Sequence, residues 1–178
     1  EALPDDIMRV FSLNQLLYLF GETTTEIWFT SGTGRPPLER QAVLQHGISG
    51  TYAVDSIDGA IYFIDGNRRP GVLVGSQHSP LYVPAIGEAW DNYGSDDFET
   101  ARVSCYSLHQ ENFVDFIFPN QGVIWTHHVS SGSWLEKDFV TTTVVQGFDL
   151  VLAAHAINKK IYRLDYSNYQ QDGAAMTR

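Results

Sequence analysis

A short apolar strand, a turn and a second apolar strand recur along this chain, and that recurrence limits the folds open to it. The clearest copy occupies residues 58–75. Asp58-Gly59 leads into Ala60-Ile61-Tyr62-Phe63-Ile64. Asp65-Gly66-Asn67 turns the chain, and Val72-Leu73-Val74 returns before Gly75. Asp-Gly pairs suit tight turns, because Gly takes positive φ at no steric cost and Asp tolerates the neighbouring position. Residues 60–64 have strand length and strand composition, but all five are apolar. Ala60, Tyr62 and Ile64 point one way, Ile61 and Phe63 the other, so the strand is covered on both faces. In an all-β chain this means sheet packed on sheet.

Three further copies follow the same order. Asn14-Gln15 precedes Leu16-Leu17-Tyr18-Leu19-Phe20, then Gly21 and residues 26–29. Glu111-Asn112 precedes residues 113–118, then Pro119-Asn120 and residues 123–126. Gly147 precedes residues 150–154, then Asn158 and Ile161-Tyr162-Arg163-Leu164. With Leu17, Ile61, Val114 and Val151 taken as equivalent, the steps are 44, 53 and 37 residues. A repeat of about 45 residues with several short strands per unit is the signature of a β-propeller. The expected architecture is therefore one all-β domain over residues 1–178, a propeller-like repeat of four units at 10–48, 50–80, 97–140 and 141–166. Regularly spaced hairpins would also suit a β-sandwich.

The long second step has a local explanation. Val83, Ile86, Ala89, Trp90 and Tyr93 fall at helical spacing, with Pro84 suited to a first turn and Gly94 to the position past the end. A short helix is expected over 84–93, inserted between repeats. Asp96-Asp97 is then expected to open the third unit, with strands over 100–108 and 134–140 at its two ends. Residues 31–37 read as a loop because they hold two glycines and two prolines, and 167–178 read as a polar tail. The chain begins at Glu1 without Met and has four units at most, so a portion of a larger propeller is expected.

Composition narrows the function. Eleven basic against 21 acidic residues give a net charge of −10, which supplies no electrostatic footprint for duplex DNA. The notable basic pair, Arg68-Arg69, sits in a hairpin turn. The single cysteine, Cys105, excludes a disulfide framework within the chain and lies in a strand-like run, where it reads as an apolar filler. No apolar run approaches a membrane span.

Motifs for chemistry are weak. His127-His128 would point to opposite faces of a strand and could not share one metal ion without a bulge. Asp55, Asp58, Asp65 and Asn67 lack calcium-loop spacing and read as turn formers. Cys105 and His109 have nothing to orient them as nucleophile and base. Glu22 and Glu26 could flank a sugar, but stand in a Thr-rich strand. No catalytic, metal-binding or cofactor-binding residue is expected.

The order of several short stretches resembles the packaged-DNA stabilisation, or tail hub, proteins of short-tailed bacteriophages. These are Leu16-Leu17-Tyr18-Leu19-Phe20-Gly21 with Thr24-Thr25-Glu26-Ile27-Trp28, and Tyr52-Ala53-Val54 with Ile57-Asp58-Gly59-Ala60-Ile61-Tyr62-Phe63. Val83-Pro84-Ala85-Ile86 with Tyr93 follows, then Phe116-Ile117-Phe118-Pro119. The last is Val123-Ile124-Trp125-Thr126-His127-His128 with Ser131-Gly132-Ser133-Trp134-Leu135-Glu136-Lys137. His127-His128 stands where that family usually has an aromatic and an acidic residue, and its members are much longer than 178 residues. The resemblance implies a non-enzymatic structural protein of the virion tail, made in the bacterial host cytoplasm, without cofactor. It implies a sixfold ring below the portal that helps close the DNA exit, with portal-adaptor, tail needle and tailspike proteins as partners and no specific nucleic-acid or membrane binding. The alternative reading is a carbohydrate-binding or glycoside-processing propeller, resting on aromatic content and loose carboxylates; a general protein-interaction propeller is a third.

Overall fold

The computed structural model describes residues 5–32, 37–137, 141–165, 170–171 and 174–175. Its strands fall into successive antiparallel sheets, each built from consecutive strands. Sheet 1 is β1 (Arg9–Leu13), β2 (Leu16–Phe20), β3 (Thr25–Thr30) and β4 (Leu38–Leu44). Sheet 2 is β5 (Val54–Ile57), β6 (Ala60–Ile64), β7 (Pro70–Val74) and β8 (Gln77–Pro80). Two short helices, α1 (Pro84–Trp90) and α2 (Ser95–Thr100), precede sheet 3, which is β9 (Arg102–Leu108), β10 (Glu111–Phe118), β11 (Val123–His128) and β12 (Trp134–Lys137). Sheet 4 holds β13 (Thr141–Gly147), β14 (Leu150–His155) and β15 (Ile161–Leu164). A last pair, β16 (Gln170–Gln171) and β17 (Ala174–Ala175), lies where a polar tail was expected.

The apolar strands fill the spaces between sheets. Tyr18, Phe20 and Ile27 of sheet 1 meet Ile61, Phe63 and Leu73 of sheet 2. The other face of β6 gives Tyr62 and Ile64 to a second core with Val114, Phe116 and Phe118 of sheet 3. Tyr106, Ile117 and Ile124 then meet Val144, Val151 and Ala153 of sheet 4 in a third core. β6 and β10 are thus buried on both sides, which is why neither alternates with polar residues. Each fully buried side chain such as Phe63 or Ile61 contributes about 1.5–3 kcal/mol of burial.

The insertion differs from expectation. α1 ends at Trp90 rather than at residue 93, and Gly94 begins a second helix instead of following the first. The Asp97 carboxylate accepts the Gly94 N–H at 2.8 Å, and Asp96 and Asp97 occupy the first turn, where helix N–H groups favour negative charge. Asp96-Asp97 therefore belongs to the insertion, and the strand of sheet 3 begins at Arg102, not Thr100. β8 has no apolar run to announce it: Gln77, His78, Ser79 and Pro80 form an edge strand, the sheet position that tolerates proline. Residues 33–36 of the expected loop, 138–140 of the expected outer strand and Tyr166 lie outside the described residues.

Candidate functional site

The first strands of the sheets run side by side in one direction. Arg9, at the start of β1, donates to the Thr51 carbonyl at 3.2 Å, and the Cβ position of Gly59, past the end of β5, lies 3.4 Å from the Asn14 amide nitrogen. The Val103 N–H donates to the Tyr52 carbonyl at 3.0 Å, and the Cys105 N–H to the Asp55 carboxylate at 2.7 Å. The Val144 N–H reaches Ser104 Oγ at 3.4 Å, and the Ser107 N–H the Gln146 side-chain oxygen at 2.8 Å. Starts meet starts and ends meet ends, so β1, β5, β9 and β13 are parallel neighbours. The later strands of each sheet fan outward from them.

That geometry brings four turns to one end of the molecule. Each first strand is joined to the second by two residues: Asn14-Gln15, Asp58-Gly59, His109-Gln110 and Phe148-Asp149. All eight have positive φ, from 50° to 76°. This is the two-residue hairpin turn whose twist matches the strands, and it prefers Asn-Gly or Asp-Gly. Only Asp58-Gly59 has that sequence. Sequence reasoning placed Asn14-Gln15 and Asp58-Gly59 ahead of their strands but missed the other two. It put Glu111-Asn112 and Gly147 before the strand, whereas Glu111 opens β10, Gly147 ends β13, and the turns are His109-Gln110 and Phe148-Asp149. The common position ahead of each second strand was the available signal.

The other candidate groups are held within the sheets. His127 lies against Trp134 on the sheet 2 side with ring centroids 4.8 Å apart, while His128 stacks on Phe113 on the opposite side. His128 Nε2 is 3.0 Å from Glu111, its Nδ1 is 2.7 Å from Ser131 Oγ, and Ser130 Oγ donates to Glu111 at 2.6 Å. The hydrogen bonds from Ser130 and His128 hold the Glu111 carboxyl below its usual range. This has the order of a Ser-His-Glu relay. The neighbouring Gly132 and Ser133 N–H groups, however, already donate to His128 O and Ser131 Oγ, so they are not aimed at an oxyanion. Burial, with Asp55 and Asp115 nearby, pushes the Cys105 thiol far above its ordinary range, the opposite of a reactive thiolate.

Glu26 pairs with Arg40 at 2.9 Å and accepts the Trp28 indole N–H at 2.9 Å. The Glu22 N–H donates to Asp5. Asp65 accepts the Arg69 N–H at 2.8 Å and stands 3.9 Å from His46, whose ring stacks on His78. Among the described residues, no three His, Cys, Asp or Glu side chains gather to hold a metal ion. A groove of about 660 Å³, lined by Leu17, Trp28 and Leu38 among others, lies on sheet 1. None of the described helices is long and apolar enough to cross a membrane.

Consecutive antiparallel sheets fanned from parallel inner strands define a protein of the β-propeller class. The model of the family described as "Bacteriophage P22 Gp10, beta-propeller" matches residues 1–151, and the chain belongs to that family. Among solved structures the chain is similar to Hsv2 of Kluyveromyces lactis, at 12% identity and a TM-score of 0.50, over 96% of this chain and 49% of that one. It is also similar to the AfRom2 CNH domain, at 7% identity and a TM-score of 0.43, over 83% of this chain and 49% of that one. The chain spans about half the length of these structures, and at such identities the first likeness speaks for the fold alone. No curated protein matches the chain.

Proposed function

We propose that this phage structural protein acts in the virion tail as a hub. It helps close the portal channel, retains packaged DNA, and anchors the tail needle and tailspikes. The observation that carries the reading is the way the sheets are joined. Three apolar cores and a series of inner-strand hydrogen bonds tie each sheet to the next, which makes a stiff support. The phage family adds the setting. Retention is mechanical in this reading: the hub bridges the portal and the plug, and an acidic surface lets DNA slide on ejection.

The virion protein would be made in the host cytoplasm and assemble as a homo-oligomer, a hexamer by analogy with the family resemblance. The test mixes the purified protein with portal-adaptor, needle and tailspike proteins of the same phage and weighs the products by native mass spectrometry. A stable complex with the adaptor or needle protein is expected. Failure to bind any of the three sinks the reading.

A further inference from the structure

We infer that the end of the molecule formed by the four inner turns is the face on which this protein docks its tail partner. The inference rests on the hub reading and assigns it a surface. Asn14, Gln15, Asp58, His109, Gln110, Phe148 and Asp149 all adopt left-handed backbone and are all exposed. Asn, Asp and His visit that region with little difficulty. Gln15, Gln110 and Phe148 do not, because Cβ crowds the backbone there; glycine would relieve each one.

Burial offers no compensation. Phe148 stands fully exposed at its apex. Strained side chains at exposed turn tips, brought to one end by parallel inner strands, are the pattern of a surface kept for contact rather than stability.

The chemistry selects the occupant. Phe148 is an aromatic knob that needs an apolar recess. Gln15 and Gln110 carry amides that donate and accept. Asp58 and Asp149, on a chain of net charge −10, favour a neutral or basic counterpart. Projecting hairpin tips suit a folded protein surface with a recess, whereas a saccharide requires the concavity on the binding protein. The occupant is thus a folded protein of the tail with a non-acidic recessed surface.

The experiment replaces the strained residues with those the turn prefers: Gln15→Gly, Gln110→Gly, and Phe148→Asn with Asp149→Gly, singly and together. Lys159→Gly is the control. It also relieves positive φ, but in the β14–β15 turn at the other end of sheet 4. Melting temperature and interferometric binding to purified adaptor, needle and tailspike proteins are measured for each. Each relieved turn should raise the melting temperature by about 2–4 °C. The combined inner-turn variant should weaken the partner at least about tenfold while Lys159→Gly leaves it unchanged, as a tenfold loss is a single strong contact. A partner that binds the combined variant as tightly as the parent overturns this inference and leaves the hub reading standing. Turn-dependent binding on a glycan array, with no protein bound, overturns both, as does binding of none of the three proteins.

Discussion

Asp115 shows how much one side chain can set. It is 1% exposed on β10, between sheets 3 and 4, and Oδ1 accepts from Thr126 Oγ1 at 2.6 Å, Tyr106 OH at 3.3 Å and Lys137 Nζ at 3.4 Å. Its Oδ2 is buried with no hydrogen-bond partner among the described residues. Burial raises its pKa, and Lys137 with the hydroxyl donors only partly offsets this. A carboxyl raised on folding holds its proton longer in the native state. Native stability therefore falls as pH rises from the unfolded value, about 3.9, through the folded one. Asp115→Asn removes that titration and keeps an acceptor for Thr126. Urea unfolding should find this variant at least as stable as the parent at pH 7.5, with a flatter dependence on acidification. A parent whose stability rises with pH across that window, relative to the variant, would refute the account. Such a charge buried in an apolar run could not be read as buried from its own residue type; only the flanking Phe113, Val114 and Phe116 hint at it.

At the scale of the element, the helical insertion is the part that departs from the repeat, and Trp90 fixes it in place. Its ring is buried among Phe98, Phe116 and Phe118 at centroid distances of 6.0, 5.8 and 5.0 Å. The indole N–H finds no acceptor among the described residues. Trp90→Ala should cost about 3–5 kcal/mol by leaving a cavity, whereas Trp90→Phe should cost about 1 kcal/mol, since it also removes the unpaired donor. Denaturant midpoints of the two variants check this; equal losses would mean that the helix is not seated on sheet 3. The first helix was legible because Ile86, Ala89 and Trp90 share a helical face. The second was not, because six residues rich in Ser, Asp, Glu and Thr carry no periodic apolar face and are held by a cap. β8 was hidden for a related reason: an edge strand with one neighbour can be polar throughout.

At the scale of the whole molecule, two-sided burial made the stacking of sheets legible, since runs such as residues 60–64 are stable only between layers. The shared direction of the inner strands was not legible, because it rests on hydrogen bonds between sheets, most of them with a side-chain partner, that no local pattern encodes. The inner-turn face stayed hidden with it. Charge, by contrast, is a property of the sum and makes its own prediction. Twenty-one carboxylates outnumber 11 basic groups, and several described cations are already engaged: Arg40 with Glu26, Arg69 with Asp91, Lys137 with Asp115 and Arg163 with Asp165. Duplex binding draws on release of counterions by lysines and arginines set against phosphates, and these four face carboxylates instead. Fluorescence anisotropy with a short labelled duplex should therefore register no binding at about 10⁻⁵ M protein and physiological salt, within the range of about 10⁻⁴–10⁻⁶ M where non-specific DNA binders respond. Binding that weakened steeply between about 50 and 200 mM salt would reveal a basic face on the protein. In the proposed hub reading, retention of DNA would then depend on gripping phosphates rather than on blocking the channel.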